Sequence, residues 1–281
     1  MTSTTTILLI AIAAVTIAWL LRERSRHIQA KRLRALANEA ERSKQQIIVE
    51  QNRNRQLKQE MTNNIAHELK TPVSSIRGYL EILLGDKPLD DERRRYFLNR
   101  CYSQTLRLSD LLTDISLINK LEESADLFPK EPAPLHDIAE EAHLELSDRL
   151  DEQQIALSNT LPEVTIVGNR SLLYAIFRNL IENSAAYAGP NSKIGIECYN
   201  TDDDRLYLHY FDTGQGVDPK YLPVIFDRFL RIDNGRSRAN GGTGLGLSIV
   251  KHAVLFHGGE IYAQLRQGGG LEFFFSLKKN I

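Results

Sequence analysis

The 281-residue sequence has two cysteines and almost no net charge, and each shortage excludes a class of protein. Cys101 and Cys198 lie far apart without C-x-x-C spacing, so neither a disulfide framework nor a zinc site is expected. The 35 basic and 36 acidic side chains give a formal net charge of -1, so no basic excess indicates a nucleic-acid partner. A hydrophobic content of 42% excludes a mostly disordered chain, and the length allows two domains with separate cores.

The N-terminal segment lacks charge altogether from Thr2 to Leu21. Fourteen of the 15 residues at 7–21 are apolar, enough for a helix to cross the hydrocarbon core of a bilayer. No Lys or Arg precedes this run and six basic residues follow it at 22–34, which favours an uncleaved anchor over a cleaved signal peptide. We therefore predict a single transmembrane helix at 1–21, with 7–21 in contact with lipid and the remaining chain in the cytoplasm.

Residues 22–60 lack both glycine and proline and carry eleven basic and five acidic side chains, which predicts a continuous helix. Apolar residues follow a heptad pattern only in part, because polar residues at Ser43, Glu50 and Asn54 interrupt it. The linker at 22–56 is therefore either a weak coiled coil or a solvated charged helix.

Two further helices are predicted at about 59–84 and 91–121, separated by the breaker cluster at 85–88. Helices joined by so short a turn form an antiparallel hairpin. Each helix is too apolar on one face to stand alone, so a second copy would complete a dimeric four-helix bundle. The pattern predicts an all-α dimerisation domain at 57–125.

The segment 128–134 contains three prolines and is predicted to be a linker. Beyond it, helical stretches at about 135–153, 170–187 and 245–257 alternate with short runs typical of strands. The predicted strands are Val164–Val167, Lys193–Tyr199, Leu206–Phe211, Glu260–Leu265 and Leu271–Leu277. This order predicts an α/β sandwich at 126–281, with helices on one face of a sheet.

One histidine of the first predicted helix lies on its polar side. At about 100° per residue, Ile65, Leu69 and the later apolar residues of the helix lie opposite His67, which therefore faces solvent. A neutral imidazole is a usable nucleophile, and the carboxylate of Glu68 can orient its N–H or accept its proton. An ordinary surface histidine is the alternative. Thr71 follows one turn later, and its identity excludes the zinc-protease motif H-E-x-x-H.

The α/β module carries two glycine-rich segments. Asp212–Gly216 follows a predicted strand and Gly241–Leu247 opens a predicted helix, where glycines allow backbone N–H groups to approach phosphate. Neither segment fits a dinucleotide fingerprint or a P-loop. Asn179 and Asn183 lie one turn apart on one helix face, and their amide oxygens suit Mg²⁺. Helix-capping amides are the alternative for this pair.

Together these segments resemble bacterial two-component sensor histidine kinases over residues 57–279. The match consists of five segments in the order and spacing of that family: His67–Pro72 resembles the H box, Asn179–Asn183 the N box, Asp212–Gly216 the first glycine box, Phe226–Phe229 the F box and Gly241–Leu247 the second glycine box. Other proteins with the same ATP-binding fold, such as mismatch-repair, topoisomerase and chaperone ATPases, lack the H box.

The resemblance implies residue roles. On the helical domain, His67 would receive the γ-phosphoryl group of ATP with Glu68 as base, while Glu68 and Thr71 resemble the motif that places water for dephosphorylation of a partner. In the ATP-binding domain, Asn183 and Asn179 would hold Mg²⁺. The expected nucleotide contacts are Asp212 with the adenine amine, Tyr187 with the adenine ring, Arg228 or Arg231 near the phosphates, a lid over residues 229–241, and the glycines Gly214, Gly216, Gly242, Gly244 and Gly246.

The resemblance thus predicts a homodimeric histidine kinase of the bacterial cytoplasmic membrane that phosphorylates itself and then an aspartate of a response regulator. The alternative is an ATP-binding scaffold or regulator phosphatase with weak kinase activity. Ala186, which stands where the family has Lys or Arg, favours that alternative slightly. The segment Gly268–Phe273 also departs from the family pattern, because it lacks the usual hydroxyl. A second membrane span and a sensor domain are also missing from the pattern.

Overall fold

The structure is a computed structural model that describes residues 2–85, 88–123, 128–232 and 242–280. The chain divides into two compact units, residues 1–63 and residues 64–281. A single helix, α1, begins at Thr2 and ends at Leu84, so the described residues of the first unit are helical throughout. The helix predicted for 22–60 is confirmed, because no glycine or proline interrupts the backbone hydrogen bonds there.

The predicted membrane span falls on residues 7–21. No helix among the residues that the structure describes combines the length and the hydropathy needed to cross a bilayer. Most side chains at 7–21, however, lie outside the described part of the chain. The membrane anchor therefore stays a prediction.

The second unit begins with the predicted helical hairpin. Helix α2 spans Asp91–Glu123 and runs antiparallel to the end of α1. The ring centroids of Tyr79 and Phe97 lie 5.9 Å apart, and Cys101 Sγ lies 3.9 Å from the carbonyl oxygen of Ile76. At the start of α2, the carboxylate of Asp90 accepts a 2.7 Å hydrogen bond from the backbone N–H of Arg93, which is how a helix N-terminus is capped. The predicted hairpin is confirmed.

The α/β module that follows is also confirmed. Its helices are α3 (Leu135–Glu152), α4 (Arg170–Tyr187) and α5 (Gly246–Phe256), and a 3₁₀ helix covers Pro219–Val224. Its strands are β1 (Glu131–Pro134), β2 (Ala156–Asn159), β3 (Thr165–Gly168), β4 (Lys193–Thr201), β5 (Arg205–Asp212), β6 (Ile261–Leu265) and β7 (Leu271–Lys278). Five strands form one sheet in the order β2-β4-β5-β7-β6, in which only the β2–β4 pair is parallel.

The proline-rich linker prediction was wrong for its second half. Glu131–Pro134 forms β1, which pairs antiparallel with β3 in a separate two-stranded sheet. Prolines are tolerated here because an edge strand needs hydrogen bonds on one side only. The sequence reading also missed β2, a strand of four residues.

The core of the α/β module lies between the helices and one face of the five-stranded sheet. Along β5, every second residue is buried, so Leu206, Leu208, Tyr210 and Asp212 point toward the helices. Helix α4 begins where the side chain of Asn169 accepts a 3.0 Å hydrogen bond from the N–H of Leu172. This cap fixes the start of the helix that carries both predicted metal-binding asparagines.

The hairpin packs against the α/β module through α2 and α5. Leu111 and Ile118 of α2 are buried, at 3% and 0% exposure, although they belong to a helix that is otherwise largely open to solvent. The partly buried side chains of Leu117 and Leu121, also on α2, pack against the core of the α/β module and so join the two parts of the second unit.

Candidate functional site

His67 lies on the open side of α1. Its side chain is 71% exposed, while Leu69 and Ile76 on the opposite side of the helix are partly buried. The helical geometry inferred from the sequence is therefore correct. The nearest carboxylate oxygen is Oε1 of Glu68, 4.0 Å from Nδ1 of the imidazole. A proton on Nδ1 would face this carboxylate, which leaves Nε2 directed away from it.

Glu68 is held by two arginines that the sequence reading did not connect with it. Its Oε2 atom lies 3.6 Å from Nη2 of Arg107 on α2 and 3.3 Å from Nη1 of Arg231 in the α/β module. The side chains of all three residues are less than one-fifth exposed, so water screens these contacts weakly. Burial and the neighbouring Arg231 lower the pKa of Arg107, and Glu68 opposes that shift. Arg231, predicted near the phosphates, thus also contacts the predicted base.

Thr71 has a local structural contact. Its hydroxyl donates a 3.3 Å hydrogen bond to the backbone carbonyl of His67, one turn earlier. Pro72 follows inside the helix and has no N–H to give to the carbonyl of Glu68. The Thr71 hydroxyl therefore supports the helix at the point where proline removes one backbone hydrogen bond. Its side chain remains exposed on the same face as His67.

Asp212 ends β5 and is buried, with 5% of its surface exposed. Its Oδ1 atom accepts hydrogen bonds from the N–H of Gly214 at 2.9 Å and of Leu271 at 3.4 Å. Its Oδ2 atom accepts from the hydroxyl of Ser184 at 3.1 Å. Burial raises the pKa of Asp212, and these hydrogen bonds oppose the rise. A carboxylate has about four acceptor positions, so at least one remains for a ligand amine.

Ser184 and Tyr210 complete this buried polar network, and the sequence reading missed both. The phenol oxygen of Tyr210 lies 2.8 Å from Ser184 Oγ and 2.9 Å from the carbonyl of Leu180. Burial raises the pKa of Tyr210 well above its ordinary value, so the phenol stays protonated. A signal was available: alternation along β5 places Tyr210 and Asp212 on the same inward face.

The two asparagines of α4 lie on one helix face, as predicted. Nδ2 of Asn179 donates a 2.7 Å hydrogen bond to the carbonyl of Ala175. Oδ1 of Asn179 lies beside Gly246, so that a Cβ on Gly246 would be only 2.7 Å from this oxygen. Across the described residues, the amide of Asn183 has no hydrogen-bond partner. No group of three His, Cys, Asp or Glu side chains within the described ranges could hold a metal ion. The two amide oxygens suit Mg²⁺, which commonly takes only one or two protein ligands beside substrate phosphates.

The glycines of both glycine-rich segments permit close backbone approach. A Cβ on Gly214 would lie 2.3 Å from the Cα of Ala188, where β5 passes the end of α4. Gly216 and Gly244 have φ angles of +67° and +73°, which favour glycine. Gly242 lies beside Tyr187, because a Cβ on Gly242 would be 3.2 Å from the hydroxyl oxygen of Tyr187. The structure therefore brings the second glycine segment to α4, where Asn179 and Tyr187 lie.

Tyr187 is 44% exposed at the end of α4, so its ring is accessible to a ligand. Burial of its remaining surface raises the pKa of Tyr187, and the nearby charges of Arg231 and Arg149 oppose the rise. Arg228 contacts α5 through Nη2, which lies 3.1 Å from Nε2 of His252. Most of the predicted lid, at 233–241, lies outside the described residues, as does Gly241 of the second glycine segment.

Two family models match the chain. Residues 57–124 match the His Kinase A (phospho-acceptor) domain, and residues 168–281 match the histidine kinase-, DNA gyrase B-, and HSP90-like ATPase. The first range includes His67 and the hairpin. The second includes both asparagines, Asp212 and both glycine segments.

The chain is similar to the phosphate regulon sensor protein PhoR of Pseudomonas aeruginosa, with 35% identity over 227 residues. That match covers 78% of this chain but 49% of PhoR, so the chain spans about half the length of this relative.

Two solved structures share the fold. The histidine kinase AdeS of Acinetobacter baumannii gives a TM-score of 0.62 at 23% identity, over 76% of this chain and 98% of AdeS. The histidine kinase ThkA in complex with the response regulator protein TrrA gives 0.60 at 20% identity, over 78% of this chain and 61% of ThkA. With a phosphoacceptor domain and an ATPase domain in the order predicted from its sequence, the chain belongs to the two-component sensor histidine kinases.

Proposed function

We propose that the chain phosphorylates His67 from ATP and then passes the phosphoryl group to an aspartate of a response regulator. The proposal depends on two sites that occur together in one chain. On the hairpin, the exposed imidazole of His67 lies beside the carboxylate of Glu68. In the α/β module, the buried carboxylate of Asp212 lies beside glycine-rich backbone. The first arrangement suits a phosphoryl acceptor and the second suits a nucleotide.

The substrate ATP fits the α/β module. The buried carboxylate of Asp212 can accept a hydrogen bond from the adenine amine, and the exposed ring of Tyr187 can pack on the base. The glycines at 242, 244 and 246 let the backbone lie close to Tyr187, Phe229 and Asn179. Near the start of α5, backbone N–H groups and the helix dipole favour the negative charge of phosphates. These residues bind and orient the nucleotide and need not react with it.

Mg²⁺ fits the amide oxygens of Asn183 and Asn179. When bound, the ion neutralises charge on the triphosphate. The amide of Asn183 has no partner elsewhere among the described residues, and Asn179 already directs its nitrogen to Ala175, which leaves its oxygen for a ligand. Arg149, Arg178 and Glu182 form ion pairs around this helix, which limits its movement.

At the hairpin, Nε2 of His67 is the proposed nucleophile. The nitrogen–phosphorus bond forms as the bond between the γ-phosphorus and the ADP oxygen breaks, and the proton of Nδ1 passes toward Glu68. Glu68 is paired with Arg107 and Arg231, so this carboxylate must exchange partners before it can accept that proton. The same pairing favours the alternative function, a regulator phosphatase or scaffold with weak kinase activity.

A response regulator is the proposed acceptor protein. His67 is open to an approaching protein, and the related fold of ThkA forms a complex with the response regulator TrrA. A second copy of this chain is the proposed partner of the hairpin, because Val73, Leu80 and Leu106 are 41–52% exposed in the single chain. Such a dimer would complete the four-helix bundle.

The proposed domain organisation has four parts. Residues 1–21 anchor the chain in the bacterial cytoplasmic membrane as a single-pass helix, with 7–21 in contact with lipid. Residues 22–56 form a helical linker, 57–125 the dimerisation and phosphotransfer domain, and 126–281 the ATP-binding domain. The charge-free run from Thr2 to Leu21 supports the anchor. Extraction of membranes at alkaline pH tests it, because an anchored chain stays with the membranes.

Labelling with radioactive ATP tests the kinase proposal. The full chain is incubated with γ-labelled ATP and Mg²⁺, and the label is tested for the acid lability of phosphohistidine. We expect His67→Gln to abolish the label without changing ATP affinity. As a matched control, His136→Gln replaces another partly exposed histidine and should label like the wild type. Label that survives His67→Gln would contradict the assignment.

A further inference from the structure

A hydrogen bond joins the hairpin to the second glycine segment. The hydroxyl of Thr243 donates to Oδ2 of Asp114 on α2 at 3.0 Å and accepts from the N–H of Leu245 at 3.2 Å. Thr243 lies between Gly242 and Gly244, in the loop that leads into α5. One hydroxyl therefore links the phosphoacceptor hairpin to the backbone proposed to face the nucleotide.

The negative charge of the Asp114 carboxylate is poorly compensated at this position. Its charged neighbours are Asp110 on α2 and Arg178 and Glu182 on α4, and Thr243 supplies a hydrogen bond. Arg178 is shared, because it also pairs with Glu145 at 3.1 Å and with Glu182 at 3.2 Å. On α5, which packs against α2, His252 contacts Arg228. Burial therefore dominates and raises the pKa of Asp114 to about 6.

The arrangement that contains this hydrogen bond also places Arg231 of the ATP-binding domain on Glu68, the proposed base. The pairing with Arg231 favours the ionised form of Glu68 and opposes transfer of the His67 proton to it. Arg231 must therefore leave Glu68 before His67 can be phosphorylated.

We propose that the Asp114–Thr243 hydrogen bond is a proton-dependent latch, which holds the ATP-binding domain on the hairpin in the arrangement that keeps Arg231 on Glu68. This inference rests on the proposed kinase function. It adds a means by which cytoplasmic acidity controls that function.

The direction of the pH dependence follows from burial. In the latched arrangement the pKa of Asp114 is about 6, whereas a carboxyl released to solvent would have its ordinary pKa near ~3.9. The latched form therefore binds the proton more tightly, and acidification strengthens the latch. As pH rises through about 6, the buried carboxyl ionises and release becomes favourable. From pH ~7.5 to ~5.5, linkage predicts a shift of about fourfold toward the latched form.

The variant Asp114→Asn tests the latch. Its amide oxygen can still accept from Thr243, but the side chain cannot ionise, so it imitates the protonated latch at every pH. We expect the full-chain variant to autophosphorylate more slowly than the wild type at both pH ~7.5 and pH ~5.5, with the ratio of wild-type to variant rates about fourfold smaller at pH ~5.5. Effects of pH common to both proteins cancel in this ratio. Asp91→Asn removes the same charge from an exposed position of α2 that is not among the charged neighbours of Asp114, and should track the wild type.

Hydrogen exchange gives a second reading that does not depend on kinase activity. At each pH, exchange of the α2 peptide at 110–118 is compared between the wild type and Asp114→Asn. We expect slower exchange in the variant at both pH values, with the ratio of wild-type to variant exchange rates about fourfold smaller at pH ~5.5. A constant ratio in this measurement, or faster exchange in the variant, would overturn the latch even if labelling is normal. If hydrogen exchange responds as expected but the wild type takes no label from ATP, the latch is upheld and the kinase proposal is refuted.

Discussion

The hairpin and the ATP-binding domain bury their apolar residues to very different extents. In the ATP-binding domain, Phe177, Tyr210 and Phe273 are fully buried within one chain. In the described part of the hairpin, nine large hydrophobic side chains are at least 41% exposed: Val73, Leu80, Ile82, Leu84, Tyr96, Leu98, Tyr102, Leu106 and Leu112. The ATP-binding domain therefore closes its own core, whereas the hairpin needs further partners to cover its faces.

The polar residues of the two regions also differ in how deeply they are buried. Asp212 lies in a buried network with Ser184 and Tyr210, where each polar group has a partner. His67 is exposed, and its carboxylate neighbour Glu68 is paired with arginines from two other parts of the chain. A preformed polar network suits recognition of one nucleotide, whereas an open imidazole suits a group that must meet two partners in turn.

The largest expected effect concerns the closed core of the ATP-binding domain. Phe273→Ala should cost about 3–5 kcal/mol in free energy of unfolding, because its fully buried ring leaves a cavity. Phe274→Ala is the matched control, since its ring lies on the other face of β7, stacked on His209 at 4.3 Å and on Tyr262 at 5.2 Å. We expect about 1 kcal/mol for the control. Urea unfolding followed by circular dichroism measures both, and equal losses would contradict a one-sided core.

The open face of the hairpin leads to the second prediction. Leu80→Glu should weaken self-association roughly a hundredfold, because a charge would be buried at the proposed dimer contact. The control is Leu144→Glu on α3, a leucine of the ATP-binding domain that is 65% exposed. Analytical ultracentrifugation of detergent-solubilised full chains measures both association constants. A dimer unaffected by Leu80→Glu would show that this face is not the contact.

The third prediction concerns the polar face of α4. Asn183→Ala should lower Mg²⁺-dependent autophosphorylation by at least about tenfold, since one proposed metal ligand is lost. Raising the Mg²⁺ concentration should recover part of the rate. Asn200→Ala, at an exposed position of β4, serves as control and should leave the rate unchanged. Full activity in Asn183→Ala would remove this residue from the site.

The smallest expected effect is at Thr71. We expect Thr71→Ala to slow dephosphorylation of a phosphorylated response regulator severalfold, while autophosphorylation stays near normal. Thr71→Ser keeps the hydroxyl and should retain both activities. Equal loss of both activities in Thr71→Ala would indicate a purely structural role. The hydrogen bond from Thr71 to the carbonyl of His67 next to Pro72 would then be its whole contribution.

Local patterns were sufficient to predict the hairpin and most of the α/β elements. Alternation along β5 and helical periodicity around His67 depend only on the geometry of one element, so the sequence alone encodes them. The misread strand Glu131–Pro134 shows where this fails. Its prolines indicate a linker locally, and its strand conformation depends on pairing with β3, more than 30 residues away.

Contacts between elements lay beyond the sequence reading. Arg107 and Arg231 were not connected with Glu68, because the three residues come from three separate parts of the chain. Asp114 had no signal at all in its helical pattern. Its importance arises from burial against Thr243, which no periodicity within α2 can indicate.

The sequence by itself determined which residues are suited to chemistry. Motif order, glycine placement and the solvent-facing side of one helix predict the phosphoacceptor and the nucleotide-binding segments, because each depends on neighbours along the chain. Only the tertiary structure decided how the two parts meet: Arg231 on Glu68, Asp114 on Thr243, and His67 left open. Such contacts depend on packing and desolvation between segments that are distant in the sequence, so no periodic pattern in the order of residues indicates them.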